Sequence, residues 1–180
     1  MFAGLGALWV YSSTPGRQGT PPAQWPVSSC LKRVSGQSTL VMFVHPQCPC
    51  SQASMSELSI ILAHSAGRLQ ADVVFLRPPG EPESWTHTVL WRTASALPET
   101  PPISDPEGRE AQLFQAFVSG ETLVYDSSGN LRFHGGITDS RGHEGDNPGC
   151  SSIQAYLNTG TVPLARTSVF GCPLFNDSMR

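Results

Sequence analysis

Cys48 and Cys50 stand on either side of Pro49 in "HPQCPC", and His45 lies three residues ahead of the first cysteine. Cysteine acts as nucleophile or soft-metal ligand through its thiolate. A helix N-terminus stabilises that anion with unpaired backbone N–H groups and the helix dipole. A histidine three residues away adds positive charge or a route for a proton if its ring turns toward the sulfur. The same side chains form an H-x-x-C-x-C set, and thiolates with imidazole suit Cu(I) or Zn. A single cysteine is often a small buried hydrophobe, whereas a pair around a proline at a helix start favours chemistry. A disulfide across one intervening residue closes a tight, strained ring, which makes the couple oxidising.

These residues sit at the junction of two elements. "STLVMFVH" (38–45) is a continuous apolar run of the kind that forms a strand buried on both faces. "SQASMSELSIILAHSAGRL" (51–69) spaces Met55, Leu58, Ile61 and Leu62 as one helical face, with Gly67 near its end. A second buried-type strand follows in "ADVVFLRP" (71–78). A helix is expected over 83–97 with Trp85, Val89, Leu90 and Ala94 inward. "PPISDPEGREAQLFQAF" supplies a short strand, a turn and a helix burying Leu113 and Phe117. "ETLVYDSSGNLRFHGG" (121–136) reads as two strands around a turn at 127–130. "CSSIQAYLNTG" (150–160) closes the order as a helix with Ile153, Tyr156 and Leu157 on one side. The sum, β-α-β-α-β-α-β-β-α, implies parallel strands with right-handed crossovers in its first part.

The 180 residues, 39% hydrophobic, suffice for one domain with its own core. The net charge of −3 and the thin spread of 11 basic residues exclude a nucleic-acid partner. Pro, Gly and Ser concentrate at 12–26, 78–83 and 97–108 and form no repeat. The division expected is an apolar N-terminal segment with linker (1–27), a domain (28–160) and a C-terminal tail carrying Cys172 (161–180). "MFAGLGALWVY" is shorter than the ~20 apolar residues a spanning helix needs and lacks the basic start of a signal peptide, so it reads as a membrane anchor that is truncated or begun too far downstream, or else as a floppy apolar terminus. Five cysteines, at 30, 48, 50, 150 and 172, leave at least one thiol unpaired in a monomer. No phosphate-loop lysine follows the Gly/Ser stretches, and no nucleophile-elbow pattern occurs.

"LVMFVHPQCPCSQASMSEL" and "ISDPEGREAQLFQAF…ETLVYDSSGNLRFHGG" resemble the thioredoxin-like family, and within it the membrane-anchored extracytoplasmic redoxins, over about residues 38–158. The resemblance implies an α/β fold with a central mixed β-sheet flanked by helices. It also implies thiol-disulfide exchange with Cys48 attacking, Cys50 resolving and His45 tuning the pair, no required cofactor, protein thiols or disulfides as partners, and a periplasmic location with membrane association through the N-terminus. The family motif is Cys-x-x-Cys, whereas this chain has Ser51 at the second cysteine's position. The family's cis-proline before the first hairpin strand is here Gly120, or Glu121 with the register shifted by one. A peroxidase is disfavoured because His45 stands where such enzymes carry Thr or Ser.

In this topology the loop after the last hairpin strand, 135–149, should lie near Cys48. It offers Asp139, Arg141, His143, Glu144 and Asp146 as neighbours, or it is a solvated connection whose Asn147 or Asp146 caps the final helix. The tail beyond Gly160 is long enough to cross the domain, so Cys172 either resolves a mixed disulfide at Cys48 or Cys50, joins them in a thiolate site, or is a buried anchor among Val169, Phe170, Leu174 and Phe175. Two further functions stand beside exchange. One is a copper site drawing on His45, Cys48, Cys50, His143 and Cys172. The other is a non-catalytic accessory subunit of a membrane complex.

Overall fold

The computed structural model describes residues 9–175. The apolar run after Gln37 forms β1 (Ser38–Val44), and its residues from Thr39 onward are buried, as a strand between two layers must be. It pairs in parallel with β2 (Leu69–Arg77), from Ser38 opposite Leu69 to Val44 opposite Phe75. β3 (Pro102–Pro106) adds in parallel to β2. β4 (Glu121–Tyr125) runs antiparallel to β1, and β5 (Leu131–Gly135) antiparallel to β4. The resulting mixed sheet has the order β3-β2-β1-β4-β5.

Alternation along β1 divides the core into two layers. Leu40, Met42 and Val44 pack against Met55, Leu58 and Ile61 of α1 (Ser51–Ser65) and Ile153 of α4 (Pro148–Thr159). Val41 and Phe43 face the other way, toward Leu123, Tyr125 and Phe114. α1 stops where Ala66 and Gly67 take positive φ, 50° and 74°. α4 starts where the Asn147 side chain accepts the Cys150 N–H at 2.8 Å, with Pro148 at its first position.

Two elements differ from expectation. The helix expected over 83–97 is broken into a 3-10 turn (Glu83–Thr86) and α2 (Val89–Ser95). Thr88 between them is extended, and its hydroxyl donates to the carbonyl of Pro46 at 2.9 Å, tying this region to the loop that carries the cysteines. The break turns Val89 outward, 61% exposed, and keeps Leu90 and Ala94 inside. α3 (Arg109–Leu113) is only one turn long, and the residue it delivers to the core is Phe114, with Leu113 and Phe117 half-buried around it. The Asp105 carboxylate fixes that turn by accepting the N–H groups of Glu110 and Ala111 at 2.9 and 3.0 Å.

The segments on either side of the expected domain 28–160 are hydrogen-bonded to it. Residues 9–13 are helical, and the chain from Thr14 to Trp25 then runs along the domain surface. The Tyr125 hydroxyl donates to Pro22 O, Leu131 N to Ala23 O, and Trp25 N to Gly129 O. The Trp25 ring stands edge-on to Phe114 and Tyr125 at 5.0 and 5.2 Å. Tail residues Val169, Leu174 and Phe175 are buried. Most of the expected apolar N-terminal run falls in residues 1–8, outside the described residues, and no helix among those described is long and apolar enough to cross a membrane.

Phe114 joins the N-terminal segment, the sheet and the one-turn α3, touching Trp25, Phe43 and Tyr125. Phe114→Ala should therefore cost about 3–5 kcal/mol of unfolding free energy, read from urea denaturation.

Candidate functional site

Cys48 occupies the turn that converts β1 into α1. Its N–H donates to His45 O at 3.0 Å, and its carbonyl accepts the Ser51 N–H at 3.2 Å, so the backbone is already coiling before the helix begins. Cys50 is the helix N-cap, with helical φ and ψ and no side-chain capping bond. The Cys48 side chain is 1% exposed. An anion there must be satisfied by protein donors, since water does not reach it.

Those donors come from three separated pieces of chain. The Cys172 N–H lies 3.4 Å from Cys48 Sγ, with the Cys172 thiol beside the same sulfur. The hydroxyls of Ser51 and Ser119 also reach it and stand 2.7 Å from each other. Each hydroxyl has one proton, so when one donates to its neighbour only the other can donate to sulfur. Ser119 Oγ also accepts the His45 N–H at 2.8 Å, which suits Ser119 as the sulfur donor and Ser51 as the donor to Ser119.

The Cys172 thiol, the one proton that the Ser51 and Ser119 hydroxyl pair can offer and the Cys172 N–H together hold the Cys48 thiol well below its ordinary range, against the opposing effect of burial. Cys172 is pushed up, first because its proton is engaged by Cys48 and then by burial. Cys50 is pushed up by burial and by the Cys48 charge, with Arg141 opposing. The centre is therefore one thiolate at Cys48 between two thiols.

The remaining residues expected at the site divide clearly. Arg141 reaches the cysteines: its guanidinium donates to Gly171 O at 2.5 Å, to Tyr11 O at 3.1 Å and to Thr14 O at 3.3 Å, and it covers the Tyr11 ring at 4.7 Å. His143 is exposed, and its backbone N–H is bound to Ser140 O. Its loop is fastened to α1 by other groups, since Ser56 donates to Glu144 at 3.0 Å and Gly145 N–H donates to the buried Glu57 carboxylate at 2.7 Å. Asp139 and Asp146 are exposed. His45 turns its ring edge-on to Trp85 at 5.5 Å, and its Nδ1 accepts the Gln47 N–H. Burial lowers its pKa, with the Cys48 charge opposing, so the imidazole is neutral at pH 7 and its positive charge is not what steadies the sulfur. Among the described residues, no three His, Cys, Asp or Glu side chains converge as a metal-binding group.

Gly120 stands immediately before β4 with φ of 88°, its N–H bound to Phe43 O at 2.7 Å, and a Cβ there would meet Ser54 Oγ at 2.8 Å. No peptide bond among the described residues is cis. The residue that touches Cys48 is Ser119, one position earlier than the pair singled out in the sequence. Glu121 is fully buried on the opposite face of the sheet from α1, where one carboxylate oxygen accepts the N–H groups of Phe117 and Val118 at 3.0 and 3.3 Å. The other oxygen has no partner, and burial pushes the carboxyl up to about 7.

The tail is laid across this site as a short strand. Val118 pairs with Pro173 in an antiparallel bridge, Ser119 N–H donates to Cys172 O at 2.8 Å, and Leu174 N–H donates to Phe117 O at 2.9 Å. A Cβ on Gly171 would fall 1.8 Å from Ser119 O, so only glycine lets the two backbones come this close.

No protein-family model and no curated protein matches the chain. Solved structures do. An uncharacterized conserved protein from Geobacillus kaustophilus is 18% identical, with a TM-score of 0.64 over 92% of this chain and 94% of that one. A hypothetical protein from Sinorhizobium meliloti is 19% identical, with a TM-score of 0.64 over 89% and 93%. An exposed lipoprotein thioredoxin from Streptococcus pneumoniae is 16% identical, with a TM-score of 0.50 over 69% and 85%. The fold is thus thioredoxin-like, a mixed sheet flanked by helices.

This geometry has two measurable outcomes. Gly171→Ala should lift the tail from Ser119, expose Cys48 and raise its pKa toward the ordinary thiol range, measured as the pH dependence of alkylation at Cys48 by peptide mass. Glu121 holds its proton more tightly folded than its ordinary 4.5 allows. Stability from this group is therefore full below about pH 4.5 and is lost as pH rises to about 7. Glu121→Gln should flatten that part of the stability curve in urea titrations at successive pH.

Proposed function

We propose that this protein is a thiol-disulfide oxidoreductase working outside the cytoplasm, in which Cys48 attacks disulfides of client proteins. The observation that carries the reading is a buried Cys48 sulfur at the α1 start, approached by the Cys172 N–H from the tail and lying beside Ser119, surroundings that lower its pKa. A thiolate is the attacking species in exchange, and a site that stabilises it also stabilises it as leaving group when the reaction runs the other way.

Cys48 Sγ bonds to one sulfur of the client, and the other leaves as a thiolate. A second thiol, Cys50 beside it or Cys172 opposite, gives up its proton and attacks Cys48, which frees the first client sulfur. The client disulfide has then gained two electrons and become two thiols, and the protein holds a disulfide. The location is supported by the apolar start of the sequence and by the presence of a cysteine cluster suited to disulfide formation, which persists in oxidising compartments. Ser51, in place of a second motif cysteine, supplies a hydroxyl that supports Ser119 beside the sulfur instead of a thiol.

Cys48→Ser should abolish exchange with a model protein disulfide such as that of insulin, measured as turnover in a glutathione-coupled assay. Wild-type turnover should stay nearly level as pH falls from 8 to 6, because the thiolate is already formed. A Cys48→Ser variant that keeps the wild-type rate overturns the reading.

A further inference from the structure

We infer that Cys172 is the resolving cysteine of this centre, presented to Cys48 by a tail strand paired with residues 117–119, and that Cys50 does not take that part. The inference rests on the proposed exchange at Cys48 and names its second thiol. Three observations carry it. The tail is fastened on both sides of Cys172: Arg141 holds Gly171 O before it, and Leu174, 2% exposed, pairs with Phe117 after it. Phe175 anchors the end, 4% exposed and packed against Phe117 and over Gly108, where a Cβ would meet its ring at 2.4 Å. Between these points Cys172 directs its N–H at Cys48 Sγ, 3.4 Å away, which brings its side chain beside that sulfur.

Cys50 has the opposite circumstances. It caps α1 in helical conformation, inside the turn closed by the Ser51 N–H to Cys48 O bond. The Cys50 thiol also lies within reach of the Cys48 sulfur, but a Cys48 to Cys50 bond closes a ring across a single residue and must form at the expense of the turn that starts the helix.

The order of events is set by charge. While Cys48 is a thiolate it engages the Cys172 proton and keeps Cys172 a thiol. Once Cys48 is bonded to a client sulfur its charge is gone. The principal restraint on Cys172 goes with it, and the Arg141 cation beside it then favours the thiolate. Cys172 Sγ attacks Cys48 Sγ, the bond from Cys48 to the client breaks, and the client sulfur leaves as a thiolate that takes up a proton. Two electrons pass from the Cys48 and Cys172 pair to the client.

The test uses the full chain, equilibrated with mixtures of reduced and oxidised glutathione, alkylated and digested with trypsin. Cys48 and Cys50 fall on peptide 34–68 and Cys172 on peptide 167–180. A cross-link between the two peptides is expected in wild type and in Cys50→Ser, and none in Cys48→Ser. A cross-link that survives in Cys48→Ser, or a bond confined to peptide 34–68, overturns the inference. With a client disulfide added, Cys172→Ser and Cys172→Ala should each accumulate the client-to-Cys48 mixed disulfide about tenfold over wild type, while Cys50→Ser clears it. The reverse pattern, accumulation in Cys50→Ser alone, also overturns it. Formation of the Cys48 to Cys172 cross-link by a wild type that exchanges with no client removes the oxidoreductase reading and leaves this pairing standing.

Discussion

A negative charge on a sulfur atom shut away from water has to be matched by hydrogen atoms that the chain itself brings to it. At Cys48 those hydrogens come from Ser119 before β4, whose hydroxyl is itself supported by Ser51 at the start of α1, and from Cys172 in the tail. Each donor belongs to a different stretch of sequence. Their meeting point depends on β1 lying between β2 and β4, which puts the turn after β1 beside the loop before β4. Much that is unusual in the chain answers to this requirement. Gly171 allows the tail backbone to lie against Ser119, Gly108 leaves room for the Phe175 anchor, and the Glu121 carboxylate ties down the amides of the strip on which the tail is laid.

Glu121 also shows what that arrangement costs. A carboxyl buried on the far side of the sheet, with one oxygen unpaired, is an expensive way to hold two amides. Its gain is position: Phe117 and Val118 are fixed just where Leu174 and Pro173 pair with them. Stability is thus given up in one layer of the molecule to keep a backbone strip straight above the other.

The strand-helix order, the buried faces and the place of Cys48 at a junction were legible because they depend on local periodicity. Met55, Leu58 and Ile61 recur at helical spacing, and β1 is apolar throughout. The broken helix at Thr88 was not, since its cause is a hydroxyl reaching Pro46 far away in sequence. Phe114 displaced Leu113 and Phe117 as the core residue because α3 ends after a single turn, too soon for a periodic face to apply. The cysteine pair was visible as spacing, and Cys172 and Arg141 were visible as residue types. What joined them was the pairing of the tail with residues 117–119, a contact between short irregular segments that carry no periodic signal. Ser119 left no trace in the sequence beyond standing next to Gly120, and Ser51 read as a missing cysteine when its hydroxyl in fact supports Ser119 beside the sulfur.

The single Arg141 guanidinium binds Tyr11 and Thr14 on one segment and Gly171 on another, and Gly16 N–H donates to Val169 O nearby. The segments 11–16 and 169–171 are thereby clasped together one residue away from Cys172. One guanidinium therefore links the placement of residues 11–14 to that of the strand covering the reactive sulfur.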